Sequence, residues 1–184
     1  MFKRTVISFC LFFSLCGVLK PSVLDSLHHL LNQTKNDSAY ISILIKIGDA
    51  LSYDNLDSAF YYYNLGFEEA QKRKQIFFEA KIHVKKANYI SIKGEYDKAK
   101  EFYEKAINIF RELDNIMGIA SCYVNIGINY LYLGDYSLAL KYYQKAETYY
   151  EKILGKENEK EYIKATEGIA SVYTNTGLIH LSMS

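Results

Sequence analysis

Residues 118–150 read GIASCYVNIGINYLYLGDYSLALKYYQKAETYY, and the fold follows from setting this stretch against the rest of the chain. Its second half, YSLALKYYQKAETYY from Tyr136, has counterparts in YDKAKEFYEKAINIF from Tyr96 and LDSAFYYYNLGFEEA from Leu56, forty residues apart each time. Four columns register: Leu56, Tyr96 and Tyr136; Ala59, Ala99 and Ala139; Tyr63, Tyr103 and Tyr143; Gly66, Ala106 and Ala146. Spacings of three, four and three put all four columns on one face of a helix. Large aromatics alternate there with very small residues. The small positions admit a neighbouring helix, and the tyrosine rings fill the space beside it.

The first half repeats as well. SAYISILIKIGDALSY, AKIHVKKANYISIKG and IASCYVNIGINYLYLG each carry a small residue in one column: Gly48, Ala87 and Gly127. Large residues stand four before it (Leu44, His83, Tyr123) and three after it (Leu51, Ile90, Tyr130). A short polar turn follows each time, and Gly94 and Gly134 sit where a helix closes with a left-handed residue. Each unit is therefore helix, turn, helix. A further stretch, GIASVYTNTGLIH at 168–180, repeats 118–130 at an offset of fifty, with Gly177 and Tyr173 in the columns of Gly127 and Tyr123. The extra length lies in an insertion around ILGKENEKEY, residues 153–162.

These columns carry a resemblance to the tetratricopeptide repeat, in which an aromatic, Leu-Gly and Tyr mark the first helix, and Ala, an aromatic and Ala the second. The third unit matches best, through Tyr123, Ile126, Gly127, Tyr130, Gly134, Tyr136, Ala139, Tyr143 and Ala146. The second unit has Ala87 for the glycine and Lys86 for the leucine, and the first has Gly66 in the last small column and a shorter turn. The resemblance implies an all-α, right-handed α-solenoid of about three and a half helix-turn-helix units. The expected divisions are a leading helix or linker at 21–37 and an array over 38–184. Its units are about 38–73, 77–113 and 117–155, with a half unit at 160–184 whose turn glycine would fall at Ser184.

The N-terminus is of another kind. Lys3 and Arg4 precede an uncharged apolar run, Thr5 to Leu19, short for a membrane span but of secretory length. Residues 1–20 read as a signal peptide or an uncleaved anchor. Lipid attachment at Cys16 would want a small residue before it, where Leu15 stands. The expected location is exported, periplasmic or extracellular, or membrane-anchored through this segment alone. Removal of Cys10 and Cys16 with it would leave Cys122 as a lone, small apolar residue. From Leu24 onward the chain is also similar to the opening of bacterial sensor proteins whose extracytoplasmic repeats precede a histidine kinase or helix-turn-helix regulator. The matching pieces are Asp25–Leu27, Lys35–Asp37 and Asn55–Tyr62.

A net charge of +1 excludes the basic excess that nucleic acid demands. No zinc, phosphate-loop or nucleophile motif occurs, so no enzyme and no cofactor is expected. His83 and His180 stand in packing columns. What remains is a surface. In a solenoid of helix pairs the first helices line the concave face. The resemblance places a groove there for a protein or peptide partner. Its positions are Ile45, Asp49 and Tyr53; Lys81, Val84, Asn88 and Ser91; and Val124, Ile128, Leu131 and Tyr132. Family members that clamp a carboxylate need a lysine where Val124 stands, so an apolar peptide segment or amphipathic helix fits better. Packing against the next unit is the competing role for the same residues. The expected function is a non-catalytic interaction module; the alternative is the sensor part of a longer signal-transduction protein, cut short in a fourth unit. On either reading Ile169, Tyr173, Ile179 and Leu181 would lie where a following helix packs, so the last helix would fray or pair with a second copy.

Overall fold

The computed structural model describes residues 21–154 and 159–183. The N-terminal apolar run, Cys10, Cys16 and Ser184 lie outside them. Among the described residues there are eight helices and no strand: α1 (Pro21–Gln33), α2 (Asp37–Leu51), α3 (Leu56–Lys72), α4 (Ile76–Ile92), α5 (Tyr96–Glu112), α6 (Ile116–Tyr132), α7 (Tyr136–Leu154) and α8 (Glu159–Met183). None of them is long and apolar enough to cross a membrane.

The helices start and stop where side chains close their ends. The Oδ1 atoms of Asn36, Asn55, Asn115 and Asp135 accept the backbone N–H of Ala39, Ser58, Gly118 and Leu138 at 2.8–3.0 Å, each satisfying a free first-turn donor. Gly94 (φ 79°) and Gly134 (φ 74°) end α4 and α6 in the left-handed region. Glu95 N then donates to Ile90 O at 3.2 Å, and Asp135 N to Tyr130 O at 3.0 Å. The same closure recurs after α3 and α5 without glycine: Lys74 (φ 54°) and Asp114 (φ 51°) take the left-handed place.

Each helix packs on the next, and among the described helices separated by one other, only α2 with α4, α4 with α6 and α6 with α8 bring their backbones close, while α1 reaches α3 through the side chains of His28 and Tyr62. The first helices of successive units therefore converge and the second helices diverge, which makes α2, α4, α6 and α8 the inner layer. Buried side chains form successive clusters along the array, not one central core. One cluster joins Leu31 to Leu44 and Tyr62, one joins Ile41 and Tyr63 to Ile82, one joins Ala87 and Tyr103 to Ile126, and one joins Val124 and Tyr143 to Val172 and Ile179.

Within the units, tyrosine against glycine is the tightest fit. A Cβ on Gly48 would lie 2.5 Å from Cε1 of Tyr63, and one on Gly127 2.5 Å from Cε1 of Tyr143. Cys122 is fully buried, and burial pushes its thiol up to about 12. His83 lies between the rings of Phe67 and Phe102, at centroid distances of 4.9 and 5.7 Å, in the column that Tyr123 fills one unit later. The structure corrects one expectation for α8. Ile179 is fully buried, because Ala165, Val172 and Ile179 fall seven residues apart and form one stripe against α6 and α7. Ile169 is half-buried on the same cluster, whereas Tyr173 and Leu181 are exposed.

Candidate functional site

Five positions beyond the small column stand Tyr53, in the turn just after α2, and Ile92 and Tyr132, the last residues of α4 and α6. Five residues rotate a helix by about 140° from the packed column, so Ile92 and Tyr132 leave the core, and Tyr53 leaves it in the turn. All three are large and exposed, at 93%, 68% and 73%. They stand at one register of the repeat, and each keeps most of its side chain exposed.

One position beyond the small column stand Asp49, Asn88 and Ile128. In the first two units the buried tyrosine of the second helix reaches this residue. The Tyr63 hydroxyl donates to Asp49 Oδ1 at 2.8 Å, and the Tyr103 hydroxyl donates to Asn88 Oδ1 at 2.6 Å. In the third unit Ile128 offers no acceptor, and the Tyr143 hydroxyl is buried without a protein partner. Burial, with Tyr132 nearby, pushes its phenol up to about 12, so it stays a donor at neutral pH. Tyr63 and Tyr103 are also shifted upward, both chiefly by burial.

The inner layer changes in character along the array. Near α2 and α4 it is charged: Lys85 Nζ lies 2.8 Å from Asp49 Oδ1, and Lys81 lies over the rings of Phe77 and Phe78. The Lys81 ammonium is lowered below its ordinary value, first by burial and then by Lys85. Between α4, α5 and α6 the surface dips into a hollow of about 410 Å³ lined by Asn88, Ser91, Ile92, Tyr96, Tyr103, Asn125, Ile128, Asn129 and Tyr132. Tyr96 and Tyr132 stack there, 6.4 Å apart and 9° from parallel. Asn125 Nδ2 approaches Asn88 Oδ1 at 3.5 Å. Asn129 is only 4% exposed, and its Nδ2 has no protein partner.

The sequence-derived positions thus divide. Asn88, Ser91, Ile128 and Tyr132 come together around the hollow. Tyr53 is exposed and Asp49 half-buried in the charged part. Val84 and Leu131 pack, half-buried, against the cores. Ile45 and Val124 are buried, at 4% and 8% exposure, in the clusters shared with α4 and α8. Convergence of the first helices covers them. Sequence reasoning missed Ile92, Tyr96, Asn125 and Asn129. Ile92 was available from the register of Tyr53 and Tyr132; the other three needed the packing of α5 against α6. Among the described residues no group of His, Cys, Asp and Glu is placed to hold a metal.

Residues 78–152 match the family model described as tetratricopeptide repeat. The fold is shared with BtubC (BKLC) from P. vanneervenii, at TM-score 0.60 and 17% identity over 85% of this chain and 64% of that one. It is also shared with the nearly identical TPR-like repeats of a putative kinesin light chain from Podosopora anserina, at TM-score 0.57 and 11% identity over 88% and 79%. A STAND signal-transduction ATPase with a tetratricopeptide repeat sensor from Pyrococcus horikoshii aligns at TM-score 0.55 and 20% identity, over 86% of this chain and 26% of that one. The chain therefore spans less than two thirds of BtubC and about a quarter of the ATPase. No curated protein matches the sequence. Residues 78–152 are thus of the tetratricopeptide-repeat kind, which serves generally as a scaffold for protein interaction, and the described chain as a whole is an all-α helical-repeat array.

Proposed function

We propose that this tetratricopeptide-repeat array is a non-catalytic module that binds a peptide segment of a partner protein along its inner layer. The row Tyr53, Ile92 and Tyr132 carries the reading: three large side chains, one per unit, exposed at the same register. Large aromatic and aliphatic anchors of this kind supply most of the energy of an interface. The assay is a random peptide library displayed on phage, panned against the chain and against a Tyr53→Ser, Ile92→Ser, Tyr132→Ser variant. Truncating exposed residues leaves helicity unchanged, so the variant isolates binding. Peptides enriched on the wild type and lost on the variant support the reading; equal enrichment on both refutes it.

Export or membrane attachment rests on Lys3, Arg4 and the uncharged run to Leu19. A fusion of residues 1–37 to a periplasm-dependent reporter is expected to be active, and a cytoplasmic product overturns this. Pairing of two copies rests on the outer side of α8, where Tyr162, Ile163, Tyr173, Leu181 and Met183 are exposed. Sedimentation of the chain should show a dimer that Leu181→Glu disperses, and an unchanged mass in that variant counts against pairing through α8. A role as the sensor part of a signalling protein is favoured by the segment from Leu24 and by the tetratricopeptide sensor of the STAND ATPase. Genomic sequence after codon 184 tests it: a kinase or helix-turn-helix module is expected, and neither appearing in any frame removes the reading.

A further inference from the structure

The hollow between α4, α5 and α6 has three properties that together select an occupant. Its lining contains no charged side chain, so a carboxylate or ammonium entering it would give up water without meeting a counter-charge. Two of its lining groups are buried without a hydrogen-bond partner, the Asn129 amide nitrogen, a donor, and the Ser91 hydroxyl, which can donate or accept. Asn88 Oδ1 already accepts from the Tyr103 hydroxyl and from Asn125 Nδ2, while Asn129 Nδ2, buried at its edge, has no protein acceptor. A purely apolar occupant would leave that donor unsatisfied. The stacked Tyr96 and Tyr132 line it together with Ile92, and Ile92 and Tyr132 belong to the exposed row, so a peptide lying on the row meets the hollow.

The geometry points to a specificity subsite for an uncharged carboxamide side chain, glutamine or asparagine, of the bound peptide. Its carbonyl accepts from Asn129 and Asn125, and its methylenes lie against the Tyr132 ring. The main chain stays on the row, since a side chain is the part of an extended segment that enters a lateral hollow. This rests on the inner layer being the peptide track, and it adds what the track reads beyond apolar anchors.

The test uses the full chain and three blocked tripeptides: acetyl-Ala-Gln-Ala-amide and its Glu and Leu counterparts. Binding is followed at neutral pH by the side-chain carboxamide signals of Asn88, Asn125 and Asn129 in nitrogen-15 correlation spectra. Saturable shifts with the Gln peptide are expected, at an affinity about tenfold higher than for the Glu and Leu peptides, one such factor being the scale of a single hydrogen bond. Asn129→Ala should abolish the preference. Asn125→Ala, at a half-buried position, should reduce it and serves if the first variant folds poorly. Equal binding of the Glu or Leu peptide, no saturable shift with Gln, or a preference that survives both substitutions overturns the subsite. Library peptides that still depend on Tyr53, Ile92 and Tyr132 while the Gln probe fails would refute the subsite and leave the track standing.

Discussion

The three registered tyrosines make a controlled experiment within one chain. Tyr63, Tyr103 and Tyr143 are equally buried, at 4%, 2% and 1% exposure, and differ in what their hydroxyls meet. Tyr103→Phe removes the 2.6 Å bond to Asn88 and leaves that acceptor with the long 3.5 Å approach of Asn125. A typical intramolecular hydrogen bond contributes about 1 kcal/mol net, so this variant should lose about that much. Tyr63→Phe should lose a similar amount, because Asp49 keeps Lys85 at 2.8 Å and its carboxylate is partly solvated. Tyr143→Phe removes a hydroxyl that has no protein partner, and an unsatisfied buried donor costs roughly 1–3 kcal/mol. This variant should gain about 1 kcal/mol. The gap between Tyr143→Phe and Tyr103→Phe is then about 2 kcal/mol, or about 4–8 °C in melting midpoint for a chain of this size. Far-UV circular dichroism melts of the three variants measure it. Adding Ile128→Asn supplies the acceptor that Asp49 and Asn88 supply elsewhere. A double-mutant cycle between positions 128 and 143 should therefore show a favourable coupling of about 1 kcal/mol. A Tyr143→Phe midpoint as far below wild type as that of Tyr103→Phe would refute the account of the third unit.

Burial between two rings, with Lys86 and Lys105 adding to it, depresses His83 to about 4 from an ordinary 6.5. Its contribution to stability is complete above pH 6.5 and is lost as pH falls towards 4, because the unfolded state takes the proton first. Urea titrations should show about 2 kcal/mol less stability at pH 5 than at pH 7, and His83→Phe should remove that part of the slope. Lys74 holds a left-handed φ of 54° that glycine adopts without strain, so Lys74→Gly should stabilise by up to about 1 kcal/mol. Gly94→Ala, at φ 79°, should cost about 1 kcal/mol, and chemical denaturation checks both. Gly127→Ala forces a methyl into the Tyr143 ring and should cost about 1–3 kcal/mol, read as loss of amide protection in α6 and α7.

The array was legible because its architecture is written in columns. Small residues opposite tyrosines, and turns closed by Gly94 and Gly134, recur at one spacing, and the helices follow that spacing. The site was legible only in part. Tyr132 stands at a helical register that leaves the core, and Tyr53 stands at the matching position in the turn after α2. Ile45 and Val124 stand at a register whose exposure depends on how closely the next first helix approaches, and that distance is a property of packing. Asn129 gives no sign in the sequence that its amide is buried and unpaired, since its column holds Ala50 and Tyr89 in the other units. For Ile179 the register carried over from 118–130 at an offset of fifty was the wrong ruler. α8 packs by a stripe of its own at sevens, set by Ala165, Val172 and Ile179.

The near identity of residues 118–130 and 168–180 has a cause at the junctions between units. A Cβ on Gly118 would strike the ring of Phe110, and one on Gly168 the ring of Tyr150. Forty residues before Phe110 and Gly118 stand Ala70 and Phe78, the same pair with the sizes exchanged. Ala70 is fully buried, and Phe78 packs against its cluster. Each junction thus holds one ring and one small residue, and which helix supplies the ring is free so long as the summed volume fits. The glycine that opens both GIAS stretches is the small half of such a pair. The later glycines differ: Gly127 is covered by Tyr143, whereas nothing lies within 4 Å of a Cβ on Gly177. The two stretches therefore share a sequence but only one of its two contacts. α8 is held into the array by Gly168 against Tyr150 and by its stripe at sevens, not by the tyrosine-on-glycine fit that closes the units before it.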